Sequence, residues 1–126
     1  MDGFDAEDLV NVTTTVVDGV VVTRAAGEID ISSVDLVREE LAKQLDRHPV
    51  SLVLDLGALT FIGSTGINML IEEQLRVQEL GTAFVVVADQ SVVLKPLEIA
   101  GVLDVLVVCP SVPEAIRLLQ GHPASE

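Results

Sequence analysis

The apolar run Val50-Ser51-Leu52-Val53-Leu54-Asp55-Leu56, followed a few residues later by a segment of helical periodicity opening at Ser64, constrains this chain more than any other feature. A short apolar run of this kind reads as a buried strand, and the 3.6-residue spacing after it reads as a helix. A strand that feeds a helix returns to its sheet in parallel, by a right-handed crossover. The stretch Gly57 to Gly63 reads as the connecting loop. It leaves two small hydroxyl residues, Ser64 and Thr65, at a strand-to-helix corner. Hydroxyls there can cap the free N–H groups of a first turn. They can equally accept a phosphoryl group, and the corner alone leaves both readings open.

The rest of the chain repeats the strand-helix alternation. Asp18-Gly19, between the β-branched runs Asn11 to Val17 and Val20 to Arg24, predicts an opening hairpin whose second strand bends at Ala25-Ala26-Gly27. Ser32 or Ser33 can cap a first helix with an apolar stripe of Val34, Val37, Leu41 and Leu45, ended by His48-Pro49. The second helix is expected over Ser64 to Leu80, closed by Gly81, with Ile67, Leu70, Ile71 and Leu75 facing the core. Glu72 and Arg76 form an i, i+4 pair in this reading, and Met69 lies on the outer face, open to a partner or equally to partial burial in the core. Thr82 to Ala88 reads as a covered strand, Val92 to Ala100 as a third helix with Pro96 in its first turn or at a kink, Val105 to Val108 as a last strand and Pro113 to Gln120 as a last helix. The expected fold is a single α/β domain with a mixed, mostly parallel sheet opened by an edge hairpin, and about four helices. The loops Ile29 to Ser33, Gly57 to Gly63 and Asp89 to Ser91 should gather beyond the carboxyl ends of the strands. Residues 1–10 are expected to be a mobile acidic start and residues 121–126 a loose tail.

Composition excludes several classes of function. A chain of 126 residues buries roughly two-thirds of its unfolded surface, enough for one domain with a proper core. Twenty acidic against seven basic residues give a net charge of −13, which repels nucleic-acid phosphates and anionic lipid. No apolar run approaches the roughly twenty residues of a membrane span, and the acidic start is unlike a signal peptide, so a cytoplasmic protein is expected. His48 and His122 stand far apart, and the single Cys109 reads as an inert core thiol, so no metal centre is expected. Ile62 occupies the first glycine position of a Gly-x-Ser-x-Gly elbow, and no lysine lies between Lys43 and Lys95 to serve a Walker loop. Catalytic machinery and cofactors are therefore not expected. What remains is a hydroxyl modified by another protein. A phosphate on Ser64 would bring about −1.5 to −2 charges to the positive end of a helix, which tolerates them, so it would switch binding more than folding.

The run Asp55-Leu56-Gly57-Ala58-Leu59-Thr60-Phe61-Ile62-Gly63-Ser64-Thr65-Gly66-Ile67 resembles the signature of the STAS domain family of bacterial anti-sigma factor antagonists. That signature is an acidic or Asn residue, Leu, a loop, an aromatic, an aliphatic, Asp, Ser, Ser or Thr, Gly, Leu. Gly27-Glu28-Ile29-Asp30 and Val93 to Gly101 resemble two further family elements, and the similarity runs from about Thr13 to Leu119. It implies a STAS domain over residues 11–120, acting as a non-enzymatic binding module without cofactor. By the same resemblance Ser64 is the phosphoacceptor of a partner that is both anti-sigma factor and ATP-dependent serine kinase. The unphosphorylated form binds that partner and frees a sigma factor, and a phosphatase acting on phospho-Ser64 restores it. Asp30, Ser32 and Ser33 match the loop bordering the kinase contact, with Gly63, Thr65, Gly66, Asn68 and Met69 completing the partner-binding corner. Gly63 stands where the family usually has Asp. The other reading the resemblance allows is an unphosphorylated scaffold or sensory subunit of a larger signalling or transport assembly.

Overall fold

The computed structural model describes residues 9–121; the acidic start up to Asp8 and the tail from His122 lie outside the described residues. The elements are β1 (Val10–Val17), β2 (Val20–Ile29), α1 (Val34–Leu45), β3 (Ser51–Ile62), α2 (Ser64–Leu80), β4 (Ala83–Val87), α3 (Ser91–Ile99), β5 (Val108–Cys109) and α4 (Val112–Leu119). They form a five-stranded sheet in the order β1-β2-β3-β4-β5, with β1 antiparallel to β2 and every other pair parallel. The expected α/β fold, its edge hairpin and its four helices are all present.

Local chemistry explains the order. Asp18 and Gly19 both take positive φ, 52° and 80°, the turn whose twist matches a hairpin, and it sets a register from Val17↔Val20 to Val10↔Gly27. Strand alternation then sorts the apolar residues onto two faces. Leu52, Leu54 and Leu56 of β3 and Phe84 and Val86 of β4 join Val37, Leu41, Met69, Leu70, Val93 and Leu97 in the larger core beneath α1, α2 and α3. Val20, Val22, Val53, Val85 and Val87 face the other way and meet Ala115 and Ile116 of α4. The α1 stripe of Val34, Val37, Leu41 and Leu45 is buried as read from sequence. Ser111 caps α4, its Oγ accepting from the Glu114 N–H at 3.3 Å, with Pro113 in the first turn.

The structure differs from the sequence reading in three places. Residues Gly57 to Ile62, read as a loop, continue β3. β2 runs on to Ile29 and offers a backbone partner, so Ala58, Leu59, Phe61 and Ile62 pair with Ala26, Gly27, Glu28 and Ile29 across two register shifts. On the other side β4 stops opposite Asp55, and the Gln90 side chain takes over, its Nε2 donating to the carbonyls of Leu56 at 2.8 Å and Leu59 at 3.1 Å. The last strand is Val108–Cys109 instead of Val105 to Val108. After Gly101 the chain folds back, with the Val102 N–H on the Leu97 carbonyl at 3.1 Å, and buries Val102 and Leu106 before it reaches β4.

The third difference is the rotation of α2. Its buried residues are Gly66, Met69, Leu70, Glu73 and Val77, while Leu75 is 59% exposed. Met69, expected on the outer face, is completely buried. Glu72 does not pair with Arg76 but with Arg38 of α1, and Arg76 approaches Asp46 at 3.9 Å, so these charges tie the two helices together.

Candidate functional site

The corner at Ser64 is built from the ends of β2 and β3. Ile29 pairs with Ile62, and the Gly63 N–H donates to the Ile29 carbonyl at 2.8 Å, which fixes the start of α2 beside the turn that follows β2. That turn is held from inside. The Ser33 hydroxyl accepts from the Asp30 N–H at 3.0 Å and donates to the Glu28 carbonyl at 2.8 Å, and Asp30 Oδ1 accepts from the Ser32 N–H at 2.8 Å. Ser33 is fully buried and makes no bond capping α1. It is a turn residue, not the surface contact expected of it, and Asp30 spends one carboxylate oxygen on the same turn. Ser32 and Ile31, the latter 79% exposed, are the residues this turn presents outward.

At the helix start the N-cap is Gly63, and its carbonyl accepts the N–H groups of Gly66 and Ile67 at 3.0 and 3.1 Å. Ser64 and Thr65 are thus the first two helical residues and do not cap. Ser64 is exposed, and its hydroxyl makes no hydrogen bond among the described residues. The first turn of α2 contains no acidic residue, so the partial positive charge of its free N–H groups is unopposed from within the helix. The cap reading of Ser64 is thereby set aside in favour of a free hydroxyl at a helix N-terminus.

Of the other expected contact residues, Asn68 is exposed and Thr65 half-buried, whereas Gly66 and Met69 point into the protein. Gly66 is a packing position. A Cβ there would stand 2.7 Å from Ile62 Cγ1 and 2.9 Å from Ile29 Cγ2, so the absence of a side chain lets α2 close onto the strand ends. Met69 belongs to the core and offers no surface to a partner.

Two residues of the corner escape sequence reasoning, Ile31 and Phe61. Phe61 is 45% exposed, and its ring lies beside Gly63. The irregular pairing of the β3 extension breaks strict alternation and turns this aromatic outward, which no period-2 pattern signals. The Asp89 to Ser91 loop, expected in the same cluster, touches the extension through Gln90 at Leu56 and Leu59, the end away from Ser64.

The ionisable groups with displaced pKa values lie elsewhere. The Thr14 hydroxyl, bonded to Glu40 at 2.5 Å, holds that carboxyl below its ordinary value, with help from Gln44 and Lys43. Burial pushes Glu73 up, against the pull of Arg76 and Arg38, and Glu73 Oε1 is buried with no hydrogen-bond partner among the described residues. Burial also raises the Cys109 thiol. Among the described residues no three His, Cys, Asp or Glu side chains converge to hold a metal ion, and no helix is long and apolar enough to cross a membrane. The corner presents an exposed hydroxyl, Ser64, close to the exposed side chains of Ile31 and Phe61.

Comparison with known proteins agrees with this architecture. The sequence is 32% identical to the anti-sigma-F factor antagonist RsfB of Mycobacterium tuberculosis over 98 residues, covering 78% of this chain and 80% of that one. The crystal structure of an anti-sigma factor antagonist from Mycobacterium paratuberculosis superposes with a TM-score of 0.84 at 26% identity, over 93% of this chain and 99% of that one. The unphosphorylated form of the anti-sigma factor antagonist SpoIIAA shares the fold, with a TM-score of 0.74 at 17% identity, over 90% of this chain and 99% of that one. The sequence profile of the STAS domain matches residues 11–115, and the chain belongs to the STAS domain family.

Proposed function

We propose that this protein is an anti-sigma factor antagonist of the cytoplasm. It binds an anti-sigma factor that is also a serine kinase, releases the sigma factor held by it, and is switched off when that kinase phosphorylates Ser64. A phosphatase acting on phospho-Ser64 restores the binding form. The observation that carries this reading is the exposed Ser64 hydroxyl, free of hydrogen bonds among the described residues, at the acid-free start of α2. The kinship with RsfB supports the same class of partner. A phosphate placed there meets free N–H groups and leaves the helix intact, while a docked partner meets a new dianion on a chain already at −13.

The test is a binding titration against the purified kinase-type anti-sigma factors of the source genome, with and without ATP, followed by mass spectrometry of the Ser64 peptide. The wild type should bind without nucleotide and be released as Ser64 is phosphorylated. Ser64→Ala should stay bound in ATP, and Ser64→Glu should bind at least roughly tenfold more weakly. Equal affinity of both variants and of the wild type, with or without ATP, refutes the switch and marks a scaffold subunit.

A further inference from the structure

The sheet ends in two edges, and they differ. β5 is a strand of two residues, whereas β1 is one of eight whose inner side pairs with β2 along its whole length. Among the described residues nothing pairs with its outer side. The two-residue turn makes Val17 and Val20 a hydrogen-bonded pair, so the alternation of the ladder directs Thr13, Thr15 and Val17 to β2. The N–H and C=O groups of Val12, Thr14 and Val16 therefore point away from it. Edges of this kind are usually blunted by lysine, proline, a bulge or short length. β1 has none of these, and it carries no charge on a chain of −13.

The strand is also its own complement. Val12-Thr13-Thr14-Thr15-Val16 reads the same in both directions. A second β1 laid antiparallel about Thr14 sets Thr14 opposite Thr14, Val12 opposite Val16 and Thr13 opposite Thr15, like pairs that stabilise neighbouring strands. The free backbone groups of Val12, Thr14 and Val16 then meet one another in register. The side chains fit as well. Val16 is 66% exposed, and Val12 lines a groove of about 360 Å³ between β1 and α1, with Val10, Leu36, Glu39 and Lys43. Each copy's Val16 enters the other's groove beside Val12. No bare charge lies at the axis, because Glu40, bonded to Thr14 at 2.5 Å, is paired with Lys43 at 3.4 Å.

We infer that two copies of this chain associate edge to edge through β1, antiparallel about Thr14, so that their sheets join into one. The interface uses none of the residues of the Ser64 corner, and each pair of chains therefore presents two corners to partners.

Sedimentation equilibrium of the full chain tests this at about 0.15 M salt, which screens the repulsion between two copies at −13 beyond roughly 8 Å. A reversible dimer is expected. Val16→Glu, which carries a carboxylate into the groove beside Glu39, should weaken association by roughly tenfold or more, with circular dichroism verifying its fold. Register is read by mixing Thr13→Cys with Thr15→Cys, two exposed positions, under mild oxidation. The mixture should give a covalent heterodimer, while either variant alone, like the wild type with Cys109, should not. The cross-link decides the question if Val16→Glu does not fold. A wild type that stays monomeric, a dimer that folded Val16→Glu leaves intact, or a mixture that does not cross-link overturns the inference.

Discussion

Gly66→Ala tests whether close packing of α2 on the strand ends sets the position of Ser64. The new Cβ would stand 2.7 Å from Ile62 Cγ1, 2.9 Å from Ile29 Cγ2 and 3.2 Å from Ile62 Cδ1. Carbon atoms rest at about 3.5–4.0 Å, so the two nearest contacts overlap by more than about half an ångström. Both neighbours are β-branched and stiff at χ1, and at 4% and 0% exposure neither has room to turn. Forcing each off its rotamer costs about 0.5–1.5 kcal/mol, and overpacking of this kind costs about 1–3 kcal/mol in total. The better helix propensity of alanine offsets up to about 1 kcal/mol. The net loss is about 1–2 kcal/mol, a fall in Tm of roughly 4–8 °C for a domain of this size, measured by scanning calorimetry. In an Ile62→Ala background, where Cγ1 is gone, the added penalty should shrink, as it does for residues in direct contact. A Tm at or above that of the wild type would refute the reasoning, since helix propensity alone predicts a gain.

Two further perturbations probe the buried polar groups. Thr14→Val removes the hydroxyl that holds the Glu40 pKa below its ordinary 4.5 and leaves the buried Thr23 hydroxyl without its 2.8 Å partner. A depressed carboxylate stabilises the fold above its ordinary pKa and loses that contribution as pH falls through the lowered value. The variant should therefore be less stable by about 1 kcal/mol at pH 7, with the gap closing below about pH 4.5, in urea titrations at several pH values. Glu73→Met should have the opposite sign. The raised pKa means that the ionised form opposes folding fully above that value and ceases to do so as pH falls through the ordinary carboxylate range. The variant should gain about 1 kcal/mol at pH 7 and lose the advantage toward pH 4; destabilisation at pH 7 would show that the charge is compensated.

The readable parts of the sequence were those where one interaction dominates. Asp18-Gly19 set the hairpin, and the α1 stripe emerged intact because every member is aliphatic and one face alone is buried. Of the expected α2 stripe, Leu70 is buried and Ile67 and Ile71 pack partly buried against the core, while Leu75 is exposed because the buried face continues through Glu73 and Val77. The extension of β3 was hidden because it depends on the reach of β2 and on the Gln90 side chain, thirty-one to thirty-four residues away from its acceptors. At the corner, Ser64 was legible from its place at a strand-helix boundary. The inward turn of Ser33 and the outward turn of Phe61 were not, since each follows from backbone geometry that residue types do not encode.

The two sides of the sheet are unequally covered, and this determines where the molecule can open without consequence. Among the described residues, α4 alone lies over the valines of the second face, a helix of eight residues that packs Ala115 and Ile116 on five buried valines of the sheet. Lifting that helix would bare Val53 and Val85 but break none of the contacts that hold α2 to Ile29 and Ile62. An opening on that side would leave the corner at Ser64 ordered while the opposite face is transiently undone.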